Sequence, residues 1–79
     1  MMHPEDWETV RDYLNSGLRH LPLNSILLYN YAVANEKLKK YQTALTFFRI
    51  AQELKPRWAD ALFGEAVTLF KLGRYKESK

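Results

Sequence analysis

At 79 residues the chain is one domain at most, and it lies near the lower limit for a core that must stabilise itself. Its residues are 47% apolar, so it is no disordered segment, and with no cysteine it has no disulfide framework, thiolate metal site or thiol nucleophile. The net charge of +3 permits acidic partners without demanding them.

The first ten residues carry Glu5, Asp6 and Glu8 and no apolar stretch, which is not the pattern of a signal peptide. No apolar run approaches the roughly 18 residues of a membrane helix. These features set the expectation of an intracellular, cytoplasmic protein without a membrane partner. Pro4, Glu5 and Asp6 suit the first turn of a helix, where acids face the positive end of the dipole. That helix is predicted over residues 4–19, with Trp7, Val10, Leu14 and Leu18 at helical spacing. Pro22 disfavours helical geometry at Leu21, and Asn24 or Ser25 can cap the next helix.

The second helix is predicted over residues 25–39. Leu28, Tyr31, Ala32, Asn35 and Leu38 form its inward stripe, and Lys39 and Lys40 sit at the negative end of its dipole. The third, over residues 41–55, is apolar on two adjoining faces. Tyr41, Ala44, Leu45, Phe48 and Ala51 are expected to face its partner, and Phe47, Ile50 and Leu54 the following helix. Gln42, Thr46, Arg49 and Glu53 make one narrow solvent stripe. Pro56 ends this helix. The fourth is predicted over residues 58–72 with Leu62, Ala66 and Leu69 inward and Gly73 as its stop. Tyr75 to Ser78 then read as the start of a truncated fifth helix.

Shifted by 34 positions, the chain overlays itself. Trp7 falls on Tyr41 and Tyr75, Leu14 on Phe48, and Pro22 on Pro56. Leu28 falls on Leu62, Tyr29 on Phe63, Ala32 on Ala66, Val33 on Val67, Lys37 on Lys71, and Lys40 on Arg74. A fixed period of this size is the mark of a stacked array. The complete unit carries Ala32, Ala44, Phe48, Ala51 and Pro56, with Tyr31 and Tyr41 as acceptable variants, and in this it resembles the tetratricopeptide-repeat (TPR) family. It departs at Leu28, where the family often has Trp, and at Asn35, where Tyr is usual. The resemblance covers about residues 7–76.

The resemblance implies an all-α fold, an α-solenoid fragment of antiparallel helix-turn-helix repeats stacked as a right-handed superhelix. On this reading residues 4–20 are the second helix of a partial repeat, 25–58 a complete repeat, and 59–79 another partial repeat. Arrays normally need about three units and a polar cap. The chain is therefore expected to be an interior piece of a longer array, or to have its ends covered by something else, including a second copy in a homo-oligomer.

The other stripe of each first-type helix is expected to point into a concave groove. It comprises Ile26, Tyr29, Asn30, Val33, Glu36 and Lys37 on the second helix, and Asp60, Phe63, Gly64, Val67, Phe70 and Lys71 on the fourth. The repeated aromatic and branched residues could grip an extended or helical peptide, with Lys37, Lys71, Lys40 and Arg74 offered to acidic side chains. Equally, in so short an array they could be buried by a neighbouring helix or a second copy. Some family members clamp a C-terminal acidic peptide with Lys, Arg and Asn on their first helices. Here Ile26, Tyr29, Asp60, Phe63 and Gly64 occupy matching positions, and only Asn30 fits. Recognition of that type is not expected.

His3 and His20 have no second ligand at metal spacing, and there is no phosphate loop or catalytic triad, so neither a cofactor nor an enzymatic activity is expected. Nucleic-acid binding would want a denser basic stripe than Lys37, Lys39, Lys40, Lys71, Arg74 and Lys76. The sequence thus points to a scaffold that binds a protein or peptide partner. The alternative is a structural or self-associating segment without its own ligand.

Overall fold

Connections of three or four residues between helical segments leave the chain little choice but to double back on itself. The computed structural model describes the backbone of residues 6–77 and the side chains of residues 6–74. It contains four helices in order, α1 (Trp7–His20), α2 (Ser25–Lys37), α3 (Tyr41–Leu54) and α4 (Ala59–Glu77), and no strand among the described residues. Each helix packs on the next, and α2 also meets α4 along one side of α3. Pro4 and Glu5, expected in the first helix, lie outside the described residues.

The connections are closed by local hydrogen bonds. Leu21 N–H donates to the Gly17 carbonyl at 3.0 Å and so ends α1. The Asn24 side chain then accepts from Leu27 N–H at 3.0 Å, which makes Asn24 and not Ser25 the cap of α2. At the far end Lys39 N–H donates to Glu36 O at 3.0 Å and Lys40 N–H to Asn35 O at 2.8 Å. This pair of bonds is the Schellman closure, and it requires a left-handed residue. Lys39 fills that place with φ 64°. Lys55 N–H bonds to Ala51 O at 2.9 Å at the end of α3, beside Pro56.

The core is built from small residues and one large one. Ala32, Ala34, Ala44, Ala51 and Ala61 are fully buried, which lets helix axes approach closely. Phe48, 2% exposed, is the large one. Its ring meets the edge of the Tyr29 ring on α2 at 5.7 Å. On the other side it lies against Gly64 of α4, where a Cβ would stand only 2.4 Å from the Phe48 Cε1. Two of the buried polar groups, Asn35 and Thr68, are satisfied within their own helices. Asn35 Nδ2 donates to Tyr31 O at 2.8 Å and Thr68 Oγ1 to Gly64 O at 2.7 Å. Among the described residues no buried side-chain nitrogen or oxygen lacks a partner.

Three expectations are corrected. Leu62, Ala66 and Leu69 of α4 are exposed, whereas Ala61 and Thr68 are buried and Gly64 and Glu65 are half-buried. A helix of this type has two apolar faces. α4 turns toward α3 the face that α2 turns toward α1: one repeat back, Ala61 and Thr68 correspond to Leu27 and Ala34. Phe47 packs edge-on against Tyr31 of α2 at 4.8 Å, not on the following helix, and it is Phe48 that reaches α4. Gly73 does not stop α4, which continues to Glu77, so the truncated fifth helix expected from Tyr75 is the last turn of α4. No glycine has a positive φ, and continuation of the helix keeps its backbone hydrogen bonds paired.

Gly17 shows how the repeat balances volume. Its would-be Cβ meets only the Leu27 side chain, Cδ1 at 3.5 Å and Cδ2 at 3.9 Å, ordinary contacts, and its backbone is helical. Gly17→Ala is therefore expected to raise stability by about 0.5–1 kcal/mol, the helix-propensity difference, with no loss of packing. Urea unfolding followed by circular dichroism reads the change, and a destabilised variant would mean that α1 and α2 lie closer than described.

Candidate functional site

α2 and α4 run side by side with α3 behind them, and between them opens a cleft of about 250 Å³ floored by Phe48. Six of the residues expected in the groove line it: Tyr29, Val33 and Lys37 from α2, and Phe63, Val67 and Lys71 from α4. Glu36 and Gly64, on the same stripes, complete the wall. Four others do not line it, the first being Asp60, exposed in the first turn of α4. Ile26 is 54% exposed beyond one end, Asn30 is exposed on α2, and Phe70 is 63% exposed under the Arg74 guanidinium, 5.5 Å from its ring centre.

The two aromatic residues of the cleft differ in setting. Tyr29 is fixed from both sides, by the Phe48 ring and by Trp58, whose ring centre lies 4.8 Å away. Burial raises the pKa of the Tyr29 phenol, and the Asp60 carboxylate raises it further, so the hydroxyl stays a neutral hydrogen-bond donor. Phe63, one repeat on, is 72% exposed at the opposite lip. Trp58 was not singled out from the sequence as a support of the site. Its position falls on Asn24, so the repeat itself gave no hint that an aromatic there would reach across to Tyr29.

The charges rearrange the expected basic rim. Glu36 is buried at 8% exposure and its carboxylate binds the Lys71 ammonium across the cleft. That hydrogen bond raises the Lys71 pKa, against the smaller opposing effect of its desolvation. Lys71 is thus committed to tying α4 to α2 and is not free for an acidic ligand. A buried carboxylate without its cation would be costly, so the pair fixes the spacing of the two helices. Lys37 remains exposed at the lip, and Lys40 is exposed in the connection that leads to α3.

On the opposite side of α4, Arg49 Nε donates to Glu65 Oε2 at 2.9 Å and Gln52 Nε2 to Glu65 Oε1 at 2.6 Å. These bonds hold the Glu65 carboxyl below the usual range. Arg49, expected only as part of a solvent stripe, is exposed but latches α3 to α4. The wall opposite Tyr29 is therefore anchored at Glu36–Lys71 in front and at Arg49–Glu65 behind. A wider, shallower hollow of about 470 Å³ lies at the α3–α4 turn, formed by residues 55–58. It contains none of the groove residues, and consecutive residues of one turn offer no converging walls.

No three His, Cys, Asp or Glu side chains among the described residues come together as a metal site would require. No helix among them is long and apolar enough to cross a membrane.

No protein-family model matches the chain. Over 75 residues, 95% of its length, it is 40% identical to a protein of Dictyostelium discoideum named Protein STIP1 homolog. The match spans only 13% of the length of that protein. No solved structure matches.

Proposed function

We propose that the chain is a tetratricopeptide-repeat segment that binds a short apolar stretch of a protein partner in the cleft between α2 and α4. The observation that carries this reading is the cleft itself. Equivalent positions of successive repeats, Tyr29 and Phe63, Val33 and Val67, stand on its two walls over a fixed aromatic floor. A rigid apolar slot with an exposed aromatic lip is the form in which a few anchoring side chains dominate affinity. The 34-residue period and the 40% identity to part of the STIP1 homolog support placement in this family. The ligand envisaged is an extended or helical peptide with apolar anchors, and Lys37 at the lip favours an acidic flank. We assign the segment no enzymatic role and no cofactor.

The test is to select peptides from a random display library on the immobilised chain and to measure their binding by calorimetry. Phe63→Ala is expected to weaken selected peptides at least about tenfold with helix content unchanged, as for a central aromatic anchor. Tyr29→Ala is expected to weaken them similarly, its folding checked separately because Tyr29 also packs on Phe48 and Trp58. Peptides whose affinity is indifferent to both substitutions would place the binding surface elsewhere.

A further inference from the structure

Among the described residues nothing covers the face of α4 that points away from α3. Leu62 is 47% exposed, Leu69 is 44% exposed and Ala66 is exposed. Their equivalents one repeat earlier, Leu28, Asn35 and Ala32, are 3%, 1% and 0% exposed. α3 supplies the main cover: Leu28 clusters with Ala51, joined by Ala61 of α4, and Ala32 clusters with Ala44 and Phe48. The internal repeat therefore specifies the kind of surface that fits α4. It is a helix of the α3 type, with small residues where the axes cross and a bulky apolar residue between them.

The chain carries a second helix of that type. α1 is in register with α3: Trp7 stands for Tyr41, Val10 for Ala44, Leu14 for Phe48, and Gly17 for Ala51. α1 packs on α2 only, in the way α3 packs on α4, while α3 has the additional neighbour α2. Trp7, Val10 and Gly17 are accordingly only half-buried. Seating the α1 of one copy on the α4 of another would set Gly17 against Leu62 and Val10 and Leu14 against Ala66. That continues the α2–α3 interface across the junction. One residue fits less well. Arg11 falls on Leu45, which is 6% exposed. Its guanidinium, now held by Asp12 at 3.1 Å, must stay at the edge of such a junction.

We infer that the open face of α4 is a docking surface for α1 of a second copy of this chain, joined head to tail. The contact is heterologous, with different surfaces on the two sides, and because it repeats the α2–α3 packing in the same direction it extends the stack as an open array whose length grows with concentration. It uses the opposite face of α4 from the cleft and does not depend on the peptide-binding reading.

Sedimentation equilibrium of the full chain from low micromolar to millimolar concentration reads the association, with circular dichroism confirming each variant folded. The average mass is expected to rise past that of a dimer. Leu69→Glu, which blocks the α4 end, and Val10→Glu, which blocks the α1 end, are each expected to be monomeric. Mixed, they are expected to form a one-to-one heterodimer, because each retains one intact surface. Arg11→Leu is expected to tighten association about tenfold, a gain of the size a buried apolar side chain brings and one that loss of folding cannot mimic. A chain that stays monomeric throughout overturns the inference. So does a mass that stops at the dimer, a mixture of the two blocked variants that fails to pair, or an Arg11→Leu variant that associates no better.

Discussion

Phe48→Ala is expected to leave the chain largely unfolded under conditions in which the parent is folded. Phe48 is the largest apolar side chain among those buried, at 2% exposure, and it touches both walls of the cleft through Tyr29 and Gly64. Truncating a buried Phe costs about 3–5 kcal/mol through lost transfer energy and the cavity left behind. A chain of this size is stable by roughly 4–12 kcal/mol at the usual 0.05–0.15 kcal/mol per residue. The loss is therefore a large fraction of the whole, and the other buried cluster, Leu28, Ala51 and Ala61, is built mostly of small residues. Far-ultraviolet circular dichroism during urea titration measures it. Phe48→Leu, which keeps most of the volume, is expected to lose much less. If Phe48→Ala lowered stability by less than about 1 kcal/mol, the ring would have to be seated in a site able to collapse, contrary to its packing between three helices.

Gly64→Ala is the second large effect, and its sign is the informative part. In an exposed helix interior the exchange would stabilise by about 1 kcal/mol, because alanine gives up less backbone freedom. At Gly64 the added methyl would fall 2.4, 2.6 and 2.9 Å from three ring carbons of Phe48, a ring already packed on its other side against Tyr29. Overpacking of this kind typically costs about 1–3 kcal/mol. Net destabilisation is expected, against the gain expected for Gly17→Ala, where the nearest atom is at 3.5 Å. The strain is also expected to push α4 from α2 and loosen the Glu36–Lys71 pair, so peptide affinity falls together with stability. A double-mutant cycle with Phe48→Leu isolates the cause. The two substitutions are expected to be strongly non-additive, the smaller side chain relieving the clash. Simple additivity, or a Gly64→Ala variant as stable as the parent, would show that the two residues do not meet as described.

These two residues illustrate what could be read from the residues alone. The existence, order and approximate limits of four helices follow from apolar spacing, from Pro22 and Pro56, and from caps such as Asn24, all of which act within a few residues. The 34-residue period supplied the pairing of neighbours and the stripe of Tyr29, Val33, Phe63 and Val67, which the structure gathers in one cleft. That Phe48 is a core residue was equally visible.

The tertiary structure decided what depends on which neighbour is present. Periodicity gives α4 two apolar faces. Only the packing of α3 selects Ala61, Gly64 and Thr68 for burial and leaves Leu62, Ala66 and Leu69 outside. Gly73 has the freedom to end a helix, as its counterpart Lys39 does with φ 64°, yet freedom is not compulsion and α4 runs on. Lys71 reads as a solvated cation until α2 brings Glu36 to it from 35 residues away. Hydrogen bonds within a turn and the alternation of apolar residues are local and are written in the chain. Choice of face, the contact of Phe48 with Gly64 and the cross-cleft ion pair are contacts between distant segments, whose energies exist only once the helices have met.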